Sequence, residues 1–280
     1  MHKTYRIKFL SFFILYIVNL SFCFGDKLPL TIAVSTSIEA SGLIDHLKQK
    51  ILNETDLDLR FIISGSGQIL EMAKNGDVHV TLTHAPALEQ VFVQQGFAQK
   101  RHVFMWNHYV IIGPANDPAN IKGFKDPVNA FLKIYNKKAL FISRGDTSGT
   151  HQKEKEMWKR ASQSPNVKSD WYLESGSSQS ANLRLANELQ AYALSDYASF
   201  IRLKDQLDLI IMNAPDQHFD VLKNEYSTII ASTPYSGKIN HKRQQKAEQW
   251  VAWLLSPATQ ATIKNYRFNG QKLFYPIYEN

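Results

Sequence analysis

Three clusters of small polar residues each follow a predicted strand and precede a predicted helix. We call them the first, second and third clusters; they are Ser35, Thr36 and Ser37; Ser64, Gly65, Ser66 and Gly67; and Ser143, Arg144, Gly145, Asp146, Thr147, Ser148, Gly149 and Thr150. The N-terminus of a helix offers unpaired N–H groups and the positive end of the helix dipole. If the three positions share one ligand, that ligand is expected to be an anion.

Arg144 distinguishes the third cluster from the other two. Its guanidinium is a fixed fork of donors that suits an oxyanion, and Asp146 is placed to orient it. Ser, Thr and Asp are also ordinary helix caps and Gly an ordinary turn residue, so each cluster has a purely structural interpretation too. The arginine favours function for the third cluster. For His151, in the first turn of the next helix, support of the site and simple packing both remain open.

The order of predicted elements would bring the clusters to one edge of a sheet. The first half of the chain alternates strands with helices, at Leu30–Val34, Leu43–Leu52, Leu59–Ile63, Ile69–Lys74, Val78–Leu82 and Glu89–Gln95. This βαβαβα order predicts an α/β fold with a mostly parallel sheet. Ligands of such folds bind at the carboxyl ends of the strands, where the clusters fall.

Two apolar strands are predicted to cross between two lobes. Val110–Ile112 would lead into the second lobe and Thr228–Ala231 would return from it. We therefore predict two α/β lobes with a ligand cleft that closes about two hinge crossings, with residues 26–113 and 227–280 in lobe 1 and 114–226 in lobe 2. The other predicted elements are helices at Pro127–Tyr135, Ser148–Ala161, Ala181–Glu188 and Lys242–Leu255, and strands at Leu140–Ile142, Ala191–Leu194 and Leu209–Ile211.

Residues 1–25 are typical of a cleaved export signal. Three basic residues precede an apolar run that begins at Phe9, and Gly25 stands near the expected cleavage site before Asp26. The run is shorter than the roughly 20 residues that a membrane-spanning helix needs. We therefore expect a periplasmic protein. A lipoprotein signal that ends at Cys23 is the alternative, and the bulky Phe22 disfavours it.

Composition excludes several classes of function. Without the signal, 29 basic residues stand against 25 acidic ones, a net charge of +4. No basic run or zinc-finger spacing is present, so we expect no nucleic-acid partner. Cys23 is the sole cysteine, so the mature chain would have neither a disulfide nor thiol chemistry. We expect no cofactor and no metal.

An ordered set of motifs resembles the tungstate-binding proteins of ABC importers, a TupA-like family of periplasmic binding proteins. The motifs are Ser143-Arg144-Gly145-Asp146, Ser148-Gly149-Thr150-His151, Trp171-Tyr172-Leu173-Glu174-Ser175-Gly176 and Ala186-Asn187-Glu188, with Gly76-Asp77, His84-Ala85-Pro86, Val110-Ile111-Ile112-Gly113-Pro114 and Asp117-Pro118-Ala119 assigned to positions outside the cleft. The resemblance extends over nearly all of the mature chain.

The resemblance implies a two-lobed monomer that closes on one tetrahedral dianion, tungstate or molybdate, and passes it to an ABC permease. The alternative that the protein reports the same anion to a membrane receptor, instead of passing it to a permease, remains open. The resemblance assigns the ligand to hydroxyls, backbone N–H groups and one arginine, and Asp146 and His151 would support these contacts. The implied ligand-binding residues are Ser35, Thr36, Ser37, Gly65, Ser66, Gly67, Arg144, Ser148, Gly149 and Thr150.

Three departures from the family pattern bear on the identity of the anion. Val34 stands where the family has a threonine, Ser177 to Ser180 replace a segment rich in glycine and methionine, and Tyr197 stands where an arginine is usual. Phosphate is the alternative ligand, because Asp146 could accept the proton of hydrogen phosphate.

A serine hydrolase is the alternative from another class of function. The chain has no Gly-x-Ser-x-Gly elbow, and no serine has an identifiable base partner, so we expect no enzymatic activity. His79 and His84, with His102 and His108, do not follow a metal-binding spacing. We expect Trp106, Trp158 and Trp171 to lie in the core.

Overall fold

The computed structural model describes residues 29–213, 220–232 and 241–277. The predicted signal peptide, with its cleavage site and Cys23, lies outside these residues. Within the described ranges, no helix is both long enough and apolar enough to cross a membrane.

The described chain contains a mixture of strands and helices that follows the predicted order closely. The strands are β1 Leu30–Ser35, β2 Leu59–Ser64, β3 Val80–Thr83, β4 Arg101–Gly113, β5 Phe141–Ser143, β6 Tyr172–Glu174, β7 Ala193–Asp196, β8 Ile210–Ile211, β9 Lys223–Ile230, β10 Arg267–Phe268, β11 Gln271–Lys272 and β12 Tyr275–Pro276. The α-helices are α1 Thr36–Ala40, α2 Leu43–Glu54, α3 Ser66–Asn75, α4 Pro86–Gln94, α5 Pro127–Lys137, α6 Gly149–Arg160, α7 Gln179–Glu188, α8 Tyr197–Leu203, α9 His241–Leu254 and α10 Pro257–Asn265. The sequence did not predict α1, β6, α8 and α10, or the short strands β10 to β12.

Strand β1 lies in the parallel part of an eight-stranded sheet, whose main order is β12-β4-β9-β3-β1-β2. It pairs in parallel with β2 on one side and with β3 on the other. Successive side chains of β1 point to opposite faces: Val34 belongs to one hydrophobic core and Ala33 to another. Ser35 pairs directly with Ser64 in the register, so the first and second clusters begin at the same edge of the sheet.

The other half of this sheet is antiparallel, so the prediction of a mostly parallel sheet is wrong. Strand β9 enters between β3 and β4 and is antiparallel to both. It follows β3 and β4 only after the long stretch of chain that contains α5 to α8, and such a connection allows an antiparallel direction. The α/β class itself is confirmed.

Strand β4 connects two regions of the fold. Its first part pairs with β9, and its last residues pair with β7 and β8. It is 13 residues long, whereas the sequence predicted only Val110–Ile112, because polar and charged residues interrupt the apolar pattern before Tyr109. The predicted lobe boundaries fall at the end of β4 and inside β9, and they stay predictions.

A further hydrophobic core, rich in aromatic rings, forms around the last residues of β4. Phe131 and Trp158 pack edge to face with ring centroids 4.5 Å apart, and Trp171 packs against the same cluster. Trp106 differs from the expectation: it is half-buried and stacks on Tyr275 at 4.3 Å, outside the buried core. It lies near the edge of the sheet because β12 is the last strand there.

Candidate functional site

The three clusters converge on His84, the residue that directly follows β3. Its Nε2 atom lies 2.7 Å from Oγ of Ser37 in the first cluster. Its backbone N–H lies 3.5 Å from Oγ of Ser66 in the second cluster. A Cβ atom on Gly149, in the third cluster, would lie 2.8 Å from the imidazole ring, so the ring packs on the first residue of α6. The structure therefore brings residues of all three clusters to one place.

The first cluster forms the turn from β1 into α1. Ser35 is the N-cap residue of α1, and its side chain makes no capping hydrogen bond. Its Oγ lies 3.2 Å from Oγ of Ser37, and both serines are buried. Thr36 is the first residue of the helix. The turn thus supplies neighbouring hydroxyls and a helix N-terminus that no side chain caps.

The second cluster forms the start of α3 and touches the third cluster. Gly65 is the N-cap residue, and no side chain caps this helix. The backbone N–H of Gly67 donates to the carbonyl of Thr147 at 3.0 Å. A Cβ atom on Gly67 would lie 2.7 Å from Cβ of Thr147, so the close approach depends on glycine. The N–H of Gly67, which the family resemblance assigns to the ligand, is used for this backbone contact here.

Arg144 lies buried in the third cluster, with 2% of its surface exposed. One terminal nitrogen donates to Oε1 of Gln179 at 2.9 Å, and the other donates to Oδ2 of Asp146. The other oxygen of Asp146 accepts from the backbone N–H of Ser148 at 3.0 Å. Asp146 therefore holds the guanidinium and the turn before α6 together.

Two buried donors of the third cluster have no acceptor among the described residues. They are Nε of Arg144 and the hydroxyl of Thr150. Ser148 caps α6 by accepting from the N–H of His151, which leaves the first N–H groups of the helix without a side-chain partner. A buried donor without an acceptor is costly, so these groups mark a place where a hydrogen-bond acceptor would be stabilised.

The ring of His151 lies in a separate buried network. Its Nδ1 atom lies 3.2 Å from Oγ of Ser143 and 3.6 Å from a carboxylate oxygen of Glu154. Glu154 also accepts from Trp158 and from the hydroxyl of Tyr172. These contacts favour the packing interpretation of His151.

Sequence reasoning missed the contact between His84 and the first cluster. It placed His84 outside the cleft, and it found no base partner for any serine, although Ser37 and His84 are in hydrogen-bond contact. The imidazole is fully buried, and burial lowers its pKa, although the negative charges of Asp196 and Glu89 act in the opposite direction. A usable signal existed, because His84 follows its strand just as the three clusters follow theirs.

Comparisons with known proteins agree over most of the chain. A family model described as "PBP superfamily domain" matches residues 26–258. The tungstate-binding protein TupA of Peptoclostridium acidaminophilum is 34% identical over 254 residues, which cover 89% of this chain and 86% of that protein. The chain belongs to the TupA family of the PBP superfamily.

Solved structures extend the similarity to TupA from sequence to fold. The tungstate-binding protein TupA from Desulfovibrio alaskensis G20 is 36% identical with a TM-score of 0.74, and the match covers 90% of this chain and 100% of that one. The crystal structure of the tungstate ABC transporter from Geobacter sulfurreducens is 34% identical, also with a TM-score of 0.74, over 85% of this chain and 99% of that one. The two-lobed binding-protein fold and the family resemblance are therefore confirmed.

Of the three departures from the TupA pattern, one touches the candidate site. Gln179 accepts from Arg144, and its own amide donates to Ser195 at 3.1 Å, so it anchors the guanidinium. Tyr197 begins α8 and donates to the side chain of Gln271 at 3.3 Å. The side chain of Val34 is fully buried in the hydrophobic core.

Val34→Thr should reduce stability and leave the site unchanged. The side chain of Val34 belongs to the core on one face of β1, so a threonine hydroxyl there would be buried among apolar groups. We expect a loss of about 1 to 3 kcal/mol in the free energy of unfolding. Urea denaturation measures it, and because threonine has nearly the shape of valine, the loss reports the buried hydroxyl. A fully stable threonine variant would show that its hydroxyl finds a partner, as the TupA pattern implies.

Proposed function

We propose that this protein binds a tetrahedral oxyanion, foremost tungstate, between its lobes and delivers it to an ABC permease. The observation that carries the proposal is the buried guanidinium of Arg144, whose Nε has no acceptor among the described residues. The unpartnered hydroxyl of Thr150 lies in the same cluster. Donors next to the starts of several helices favour a ligand that only accepts hydrogen bonds. The names of the relatives support tungstate as that ligand.

The proposed contacts to the anion are hydroxyls, backbone N–H groups and one guanidinium. Gly67 is assigned to the contact between the second and third clusters, because the carbonyl of Thr147 already accepts from its N–H. The remaining proposed ligand residues are Ser35, Thr36, Ser37, Gly65, Ser66, Arg144, Ser148, Gly149 and Thr150.

The environment of Asp146 favours a fully deprotonated anion over hydrogen phosphate. Hydrogen phosphate carries a proton and needs an acceptor, whereas tungstate only accepts. Asp146 is the sole carboxylate in the three clusters, and both of its oxygens already accept hydrogen bonds from Arg144 and from Ser148. We therefore expect phosphate to bind more weakly. Molybdate, which has the same charge and shape as tungstate, should bind as well.

A panel of anions tests the proposed function. Tungstate, molybdate, sulfate and phosphate are added separately to the purified protein, and melting temperature and calorimetric affinity are measured. Because a ligand of the native state raises the melting temperature by mass action, tungstate and molybdate should raise it most. If phosphate binds more tightly than tungstate, the protein is a phosphate-type binder. If none of the four binds, the proposal is wrong.

Gly67→Ala should weaken binding by separating two of the clusters assigned to the anion. The added Cβ would lie 2.7 Å from Cβ of Thr147 and 3.0 Å from its carbonyl oxygen, so it would push the second and third clusters apart. Overpacking of about 1 to 3 kcal/mol corresponds to a loss of affinity of about fivefold to over a hundredfold. Calorimetry with tungstate measures it.

Gly65→Ala is the matched control for Gly67→Ala. A Cβ on Gly65 would lie 3.7 Å from the Thr147 hydroxyl, an ordinary contact distance. Because Gly65 is itself a proposed ligand residue through its backbone N–H, we expect this variant to lose affinity, but less than Gly67→Ala does. Equal affinities of the two variants would argue against the need for a close approach at Gly67.

We also propose that the protein is exported and acts as a periplasmic monomer that docks on its permease. The predicted signal in residues 1–25 supports export. N-terminal sequencing of the protein from a periplasmic extract should find Asp26 as the first residue. A retained Met1 or a lipid on Cys23 would contradict this localisation.

Binding without catalysis is the proposed activity, although Ser37 and His84 form a hydrogen-bonded pair. Both residues are almost completely buried, with 1% and 2% of their surfaces exposed, and the serine belongs to the cluster assigned to the anion. Hydrolysis of p-nitrophenyl acetate that disappears in Ser37→Ala would favour a hydrolase instead.

A further inference from the structure

The orientation of the Asn224 amide is fixed by a buried carboxylate. Its Nδ2 group donates to Oδ2 of Asp196 at 2.9 Å and to Oδ1 of Asn107 at 2.8 Å. Asn107 in turn donates to the same oxygen of Asp196 at 2.8 Å. Since an ionised carboxylate only accepts, both amides must present their NH₂ groups to it. The carbonyl oxygen of Asn224 therefore faces His84, with Oδ1 at 3.0 Å from Nδ1.

This arrangement fixes the proton of the neutral His84 ring. Nδ1 also lies 2.9 Å from the hydroxyl of Tyr109, which can donate or accept, whereas the Asn224 oxygen can only accept. The neutral ring that satisfies both contacts therefore carries its hydrogen on Nδ1 and a lone pair on Nε2. Ser37 lies 2.7 Å from Nε2, and its hydroxyl must donate to that lone pair. As long as His84 is neutral, the hydroxyl of Ser37 is occupied and cannot donate to an anion.

Charged and titratable groups surround the imidazole from several elements. Asp196 at the end of β7 and Glu89 on α4 favour a positive ring, whereas Arg144 disfavours it. The rings of Tyr109 and Tyr226 stack on the imidazole at 6.1 and 5.1 Å, and burial raises the pKa of both hydroxyls, so they stay neutral. The first residue of α6 also contacts the ring, and the positive end of that helix opposes its protonation.

We propose that His84 takes up a proton when a dianion binds, and that this proton releases the hydroxyl of Ser37 to donate to the ligand. The positive ring donates from Nδ1 to Asn224 and from Nε2 to Oγ of Ser37, whose own hydrogen is then free. The dianion supplies the negative charge that offsets Arg144 and the start of α6. No covalent bond forms or breaks except that to the proton, which comes from solvent. The inference rests on the proposed function, since Ser37 is one of the assigned ligand residues.

Proton uptake gives tungstate affinity a defined dependence on pH. Burial holds the pKa of His84 below its ordinary value in the free protein, and a bound dianion raises it. The gain in affinity is therefore complete below the free-state pKa and lost above the bound-state pKa. Between the two values, the dissociation constant should increase with pH by up to about tenfold per pH unit.

Calorimetry in several buffers measures the protons directly. Dilute tungstate is titrated into the wild-type protein between pH 7 and 8.5 in PIPES, HEPES and Tris, whose ionisation enthalpies differ. The slope of observed enthalpy against ionisation enthalpy gives the number of protons taken up. We expect a positive value of up to about one, which decreases as the pH rises.

The variant His84→Gln tests whether proton uptake requires His84 when a hydrogen bond to Ser37 is kept. Its amide can donate permanently to Ser37 and cannot titrate, so binding should persist with no proton uptake. His46→Gln, at an exposed position on α2, is the matched control and should behave as the wild type. If His84→Gln does not fold, the ring ¹⁵N shifts of His84 in the wild type should change from neutral to doubly protonated on addition of tungstate.

The outcomes distinguish this inference from the proposed function. Tungstate that binds without proton uptake, uptake that persists in His84→Gln, or ring ¹⁵N shifts that stay neutral on addition of tungstate would each overturn the inference and leave the proposed function intact. An absence of tungstate binding to the wild type would overturn both.

Discussion

Replacing Arg144 with alanine should weaken tungstate binding by about thirtyfold to several thousandfold. The guanidinium is buried, and it is the only cationic side chain in the three clusters. Removal of one member of a buried charged pair leaves the other poorly compensated, at a cost of about 2 to 5 kcal/mol. At 1.4 kcal/mol per tenfold, that cost gives the stated range.

The variant Arg144→Lys tests whether binding needs the planar set of donors in the guanidinium as well as its positive charge. Arg144→Lys keeps a positive charge but cannot hold Gln179, Asp146 and a ligand with one planar fork, so its affinity should lie between those of the wild type and Arg144→Ala. Arg160→Ala is the matched control, because Arg160 lies exposed on α6 and pairs only with Glu156 among the described residues. Calorimetry with tungstate measures all three variants. Wild-type affinity in Arg144→Ala would remove the central claim of the proposed function.

Loss of binding in Arg144→Ala must be separated from loss of folding. The structure predicts a small effect on the unliganded protein, because the fully buried Gln179 loses a donor while the partly exposed Asp146 can be solvated. We expect a loss of about 1 to 2 kcal/mol in the free energy of unfolding. Melting curves without ligand check that the variant is folded at the temperature of the titration.

The positions of the clusters were predictable from the sequence because they depend on local order. Buried strands such as Leu30–Ser35 are mostly apolar, and the polar residues at their ends fall at a sheet edge in any parallel arrangement. The direct pairing of Ser35 with Ser64 follows from that rule. Arg144 could be recognised because few residues other than arginine suit a buried oxyanion.

The network beneath the site could not be predicted, because it depends on pairing between distant segments. Asn107 on β4 and Asn224 on β9 both donate to Asp196. The sequence gives no signal that these two strands pair. The crossing strand β9 was predicted only in its apolar second half, which left Asn224 outside it. His84 was misplaced for a different reason, since a single histidine in an apolar stretch carries no signal apart from its position after β3.

Asp196→Ala should cause the largest loss of stability among these variants. Its Oδ2 atom accepts from Asn107, Asn224 and the hydroxyl of Tyr226, and Oδ1 accepts from the backbone and side chain of Ser199 at the start of α8. Alanine removes the acceptor that these buried donors share and also removes the cap of α8. We expect a loss of about 3 to 5 kcal/mol in the free energy of unfolding, a decrease of roughly 10 °C in melting temperature.

An asparagine at position 196 should not restore stability. Because it has the shape of aspartate without the negative charge, this variant shows whether the charge or the shape of the side chain is needed. Donors face both oxygens of Asp196, so whichever way an asparagine side chain is turned, its NH₂ group meets N–H or O–H groups. Asp196→Asn should therefore lose most of the stability that Asp196→Ala loses, whereas Asp208→Ala, at an exposed position, should stay within about 0.5 kcal/mol of the wild type. Urea denaturation of the three variants measures the difference. A stable asparagine variant would mean that Asn107 and Asn224 can turn their amides, and the fixed orientation that gives His84 its Nδ1 proton would then be lost as well.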